Sequence, residues 1–188
     1  MVKKIDRTMS LTSEEQQQYY RDRLLHIKDF SDAFELVKMA VNEKFKIHRA
    51  GLGLILQGLP TNLGAYHVLG SNMIILNRRI LDTIRKRKSD EEYNSYLFMV
   101  LAHEYIHSFG IEEEIQVRNM TYDVCKSLLG EDHVASLMAR YQPWVVFPEL
   151  NVYQNISNND SINSSDNSFE KSFEIVKNFD KTTQSYIN

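Results

Sequence analysis

The run Tyr96-Leu-Phe-Met-Val-Leu-Ala102, followed at once by His103-Glu104-Tyr-Ile-His107, constrains this chain more than any other stretch. An unbroken apolar run predicts a buried helix, and the ionisable groups that continue it are then buried too. Burying His, Glu and His without partners costs several kcal/mol. The fold must therefore give them a metal ion or hydrogen-bonding partners. On an α-helix, histidines four residues apart differ in direction by about 40°, so both imidazoles reach one point in space. Neutral imidazole is a preferred zinc ligand. Glu104, rotated by about 100° from His103, reaches a metal-bound water without ligating the ion itself. Zinc lowers the pKa of such a water toward about 7, and a neighbouring carboxylate can take its proton and pass it on. The bland alternative is a pair of exposed histidines on a surface helix, and the flanking apolar run argues against it.

Gly110, three residues after the second histidine, predicts the end of the motif helix, and Glu112, Glu113 and Glu114 follow. These glutamates have a local explanation as well, because acidic side chains favour the positive N-terminus of a next helix. The pattern His103-Glu104-x-x-His107-x-x-Gly110 resembles the zincin metallopeptidases. Two branches of that family are relevant. In the metzincin pattern the third ligand aligns with Glu113, where the family usually has His or Asp. In a minimal gluzincin a glutamate on a following helix completes the site, which Glu113 or Glu114 can supply. Glu113 is the preferred third ligand on the Gly110 spacing and Glu114 the alternative. The metzincin methionine turn has no obvious counterpart at Met120 or Met138.

The resemblance implies an α+β zincin-like domain: a short, mainly antiparallel sheet beside the motif helix, with further helices behind. It implies one bound Zn2+ and hydrolysis of peptides or unfolded protein segments, with Glu104 as general base. It also implies that the strand at Gly70-Ser-Asn-Met-Ile-Ile-Leu-Asn77 offers an edge to extended substrate. Tyr122, His133 and Tyr141 are candidate donors to an oxyanion, although each has a packing or surface role as its commoner explanation. His26, His48 and His67 stand isolated and read as structural or solvated. Cys125, close to Val124 and Leu128, reads as a small buried hydrophobe. The competing reading is a non-catalytic zinc-binding regulatory or interaction module, closed by a fourth protein ligand.

Along the chain, residues 1–150 read as one domain. Ser13 to Ile27 predicts a peripheral surface helix, and Asp29 to Lys46 a better buried one. Strands are predicted within Gly51–Pro60, Ala65–Leu69 and Met73–Asn77, as a three-stranded sheet or meander with Gly70-Ser71-Asn72 as a turn. Helices are predicted at 78–88, 90–108, 112–129 and 131–141. Residues 151–188, rich in Asn and Ser, predict a disordered tail. Within it Phe169, Phe173, Val176 and Phe179 fall near one helical face, as a transient helix or a docking element. If this tail imposes latency, deleting it raises activity.

The formal charge of −3 gives no reason to expect nucleic acid or an anionic membrane as partner. The basic cluster Arg78, Arg79 and Arg85-Lys86-Arg87-Lys88 is followed at once by Asp90, Glu91 and Glu92, which predicts a self-compensated face. A single cysteine excludes an internal disulfide and a Cys-based zinc cluster, and fits a reducing cytoplasm. No membrane span or apolar leader is evident. The sequence leaves the oligomeric state open.

Overall fold

A computed structural model describes residues 12–60, 62–150 and 173–181. Its elements run α1 (Ser13–Leu25), α2 (Phe30–Phe45), β1 (Gly53–Gln57), β2 (Ala65–His67), β3 (Met73–Asn77), α3 (Arg78–Arg87), α4 (Asp90–His107), α5 (Glu114–Leu129), α6 (Val134–Tyr141), α7 (Pro143–Val146) and β4 (Phe173–Val176). The chain is thus α+β.

Local chemistry fixes the helix starts. Thr12 with Glu15, and Ser89 with Glu92, form reciprocal capping boxes at α1 and α4, and Asp29 caps α2. From Tyr93 to Ala102, α4 is buried on every side. A helix apolar all round belongs at the centre, and α4 accordingly packs against α1, α2, α3, α5 and α6. Asn77, also fully buried, caps α3 through its side-chain oxygen. Its amide nitrogen donates to the carbonyls of Leu59, Pro60 and Leu63, which pins the loop leading into β2.

The sheet has the order β2-β3-β1-β4. Its two outer pairings are antiparallel, with Tyr66 opposite Ile75 and Ile55 opposite Ile175. The central pair, β1 with β3, is parallel, with Leu54 opposite Ile74. The meander expected from sequence is therefore corrected. Alternating apolar residues mark strands, but pairing depends on the path of the connecting chain. The turn around Gly70, with φ of +73°, joins β2 to β3 as expected. It leaves β3 in the interior of the sheet, so the strand of residues 70–77 offers no free edge.

The N-terminal helix lies at the surface as expected, burying only Tyr20 and Leu24, and the Arg21 guanidinium donates to the Leu129 carbonyl at 2.6 Å. Within the tail, residues 173–176 form a strand rather than a helix, and residues 177–181 follow without regular strand structure, with Phe179 packed against the domain. Phe179 stacks on Phe34 with ring centroids 4.2 Å apart. Asp180 pairs with Lys38 at 2.6 Å and accepts the backbone N–H groups of Gly51 and Leu52. Both charges of this pair are buried and further hydrogen-bonded, the condition under which such a pair is tolerated. A window dominated by Asn and Ser hides this segment, because its stabilisation comes from the β1 edge and the α2 surface rather than from neighbours in sequence. Phe169 lies outside the described residues.

The basic cluster is self-compensated as predicted: Arg85 pairs with Asp90 and covers the Tyr93 ring, Lys88 pairs with Glu92 and Glu149, and Arg78 pairs with Glu174. Among the described residues, no helix is long and apolar enough to cross a membrane.

Candidate metal centre

One face of α4, carrying Tyr96, Met99, Val100, His103, Glu104 and His107, lines a cavity of about 570 Å³. These residues recur at helical spacing, so a single straight helix presents all of them together. Immediately after the motif the helix stops. The Gly110 N–H donates to the His107 carbonyl at 2.9 Å, and glycine adopts the left-handed φ of +85° without steric cost. The chain then doubles back, and α5 opens with Glu114 facing the two imidazoles.

His103 Nε2 lies 3.4 Å from Glu114 Oε1, and His107 Nε2 lies 3.3 Å from Glu114 Oε2. The Ile111 carbonyl accepts from His107 Nδ1 at 2.7 Å, which leaves Nε2 as the acceptor nitrogen turned to the cavity. The candidate donor atoms all lie within 4.8 Å of one another, so His103, His107 and Glu114 form a group that can hold a metal ion. An ion bound tetrahedrally at 2.0–2.1 Å spaces its neighbouring ligand atoms by about 3.3 Å. Direct charge-assisted hydrogen bonds are shorter, at about 2.7–2.9 Å. Each imidazole stands at about that spacing from one oxygen of Glu114, with the whole donor set inside 4.8 Å.

Electrostatics agree with that arrangement. Burial lowers the pKa of His103, favouring the neutral, ligating form. Desolvation favours the acid form of Glu114, but His103 and His107 outweigh it and hold the carboxyl below its usual range. Glu104, only 4% exposed, is pushed up to about 8 by burial, with a further contribution from the Glu114 charge; a hydrogen bond from the His67 backbone N–H acts in the opposite sense.

The preferred sequence candidate, Glu113, is not part of this group. It precedes the first helical residue of α5 with extended backbone, is exposed, and makes no capping hydrogen bond. α5 starts at Glu114, two residues after the expected start at 112, and Glu114, the alternative, is the carboxylate that turns back to the histidines. Glu112 is exposed and lines the cavity.

Of the proposed oxyanion donors, none lines the cavity. The Tyr122 hydroxyl donates to Glu131 at 3.1 Å, His133 caps α6 and is pushed down to about 4 by burial, and Tyr141 lies under Arg140. Cys125 is fully buried, with its thiol pushed up to about 12, as expected of an inert hydrophobe. Met138 sits mid-helix in the cavity wall, so neither it nor Met120 forms a methionine turn.

Two site residues escaped the sequence reading. His67 stands on β2, the free sheet edge that lines the cavity, and its buried Nδ1 has no partner. Nothing local in the sequence marks it. Arg118, one turn beyond Glu114, brings its guanidinium within 3.6 Å of Glu114 Oε1; the four-residue Glu–Arg spacing was the available signal. Comparison with known families, curated proteins and solved structures finds no match for this chain.

Proposed function

We propose that this protein is a metal-dependent hydrolase, on one observation: three donors converge on a cavity in which a buried carboxylate, Glu104, stands beside them. Two imidazoles and one carboxylate are the donor set of a catalytic zinc, which keeps its fourth position open. Among the described residues the metal-binding group has three members, which favours an open site over a structural one closed by four.

More particularly, the reading is a zinc peptidase. His103, His107 and Glu114 would hold the ion, which would supply Lewis acidity and lower the pKa of a water. Glu104 would take that water's proton and deliver it to the leaving amine. A divalent cation nearby favours the carboxylate form of Glu104, so metal loading and base function are linked. His107 is held in register by Ile111, and the β2 edge gives an extended peptide a row of backbone partners. Peptides and unfolded segments suit such an edge better than folded surfaces. The segment 173–181 contributes nothing to the cavity lining, so latency imposed by it has no geometric support.

The test uses protein purified without a histidine tag, stripped with chelator and reloaded with one equivalent of zinc. Glu104→Gln is expected to keep the zinc and lose at least about 100-fold in kcat on a fluorogenic peptide mixture. Failure of the parent to hold zinc, or equal turnover by the variant, refutes the reading. Stoichiometric zinc with no turnover in the parent transfers support to the non-catalytic zinc module.

A further inference from the structure

Beyond the metal-binding group the cavity continues along α4 toward Tyr96. Its walls there come from Met99 and Val100 of α4, Met138 and Ala139 of α6, and Trp144 of α7. Tyr96 is 1% exposed, lines this cavity, and has no hydrogen bond from its hydroxyl to any described residue. A Cβ built on Gly64 would come within 3.0 Å of that hydroxyl oxygen, so the glycine keeps the space above it open. Burial raises the phenol pKa, which leaves a neutral O–H.

The hydroxyl oxygen opens on the cavity, so a ligand that fills the apolar walls can also give it a hydrogen-bond partner. The charged lining residues, Glu104, Glu112, Glu114 and Arg118, belong to the metal-binding end. Among the described residues Glu104 is the lining carboxylate whose charge reaches the Tyr96 phenol, and it is already engaged by the His67 backbone N–H. Seven residues of helix separate Tyr96 from His103, about 10 Å along the axis. That is the reach of a long side chain plus the backbone from which it hangs.

We propose that this end of the cavity selects a large neutral side chain beside the scissile bond, apolar along its length and hydrogen-bonding at its tip. Tyrosine is the best fit, its phenol pairing with the Tyr96 hydroxyl. Phenylalanine fills the same walls but leaves the hydroxyl unpaired. The inference rests on the peptidase reading for what lies at the metal and on the cavity itself for the selectivity.

The test measures binding to the zinc-loaded full chain by calorimetry, with the hydroxamates of tyrosine, phenylalanine and alanine as probes. Each places its side chain next to a metal-chelating group, and none requires turnover. Tyrosine hydroxamate is expected to bind about threefold to tenfold tighter than the phenylalanine probe. Both should bind at least about tenfold tighter than alanine hydroxamate. Tyr96→Phe should bring the tyrosine-to-phenylalanine ratio to about one, with zinc content and alanine hydroxamate affinity unchanged. Gly64→Ala, which crowds the hydroxyl, should weaken the tyrosine probe most. A ratio that survives Tyr96→Phe, or equal binding of all probes, overturns the selectivity and leaves the peptidase reading intact. Absence of binding by every probe removes the metal centre and this inference with it.

Discussion

Replacing Phe179 by alanine tests whether the C-terminal segment is part of the folded core. Phe179 is 2% exposed and stacks on Phe34, whose ring in turn meets Tyr105 edge-on at 5.4 Å. Deleting a buried phenyl ring removes its transfer free energy and leaves a cavity, together about 3–5 kcal/mol. Collapse cannot easily refill the site, because Phe34 is itself held by Tyr105 on the central helix. If the variant instead releases the whole segment, the loss also includes the Asp180 partner of Lys38, which is only 3% exposed. Lys38 keeps Glu35 at 2.7 Å, so the further loss is one ion pair and the hydrogen bonds from Gly51 and Leu52 rather than a stranded charge. Urea unfolding of parent and variant measures the difference. With a slope of about 2 kcal/mol/M, the midpoint should fall by roughly 1.5–2.5 M. The slope itself should stay constant if the segment remains docked. A change below about 0.5 kcal/mol, the size expected at an exposed position, would refute the packing argument.

Glu114→Ala should weaken zinc binding by at least about 100-fold, while Glu113→Ala stays within twofold of the parent, measured by competition with a chelating dye. Equal retention by both variants would remove Glu114 from the ligand set. In chelator-treated protein, Glu104 has a folded pKa of about 8 against a reference of 4.5. The folded state therefore holds the extra proton, and stability falls as pH rises through that window, by at most about 1.4 kcal/mol per unit. Glu104→Gln should abolish this slope, so its stability advantage over the parent grows between about pH 5 and pH 8; parallel pH profiles would contradict it.

Much of this architecture is legible because its causes are local. The apolar run before His103 and the helix stop at Gly110 each act within a few residues, and each appears where the pattern places it. What escapes depends on distant partners. Short apolar runs bounded by turn residues identify β1 and β3 but are silent about their parallel pairing. The third carboxylate turned on where α5 begins, two residues beyond the expected start. Tyr96 reads as one more core aromatic, and only the positions of β2 and α6 show that its hydroxyl meets a cavity. His67 reaches the site through strand pairing that no spacing rule reveals.

The order of synthesis gives the last strand a further consequence. Among the described residues β1 acquires its outer neighbour from residues 173–176, and Lys38, already paired with Glu35, gains Asp180 from the same segment. The 22 positions after Leu150 must be translated before β4 begins. At about 5–20 residues per second they keep the nascent sheet waiting for roughly 1–4 s. During that interval one flank of β1 is an open template for strands of other chains. Crowded ribosomes, rather than the finished protein, are where this fold is most exposed to aggregation.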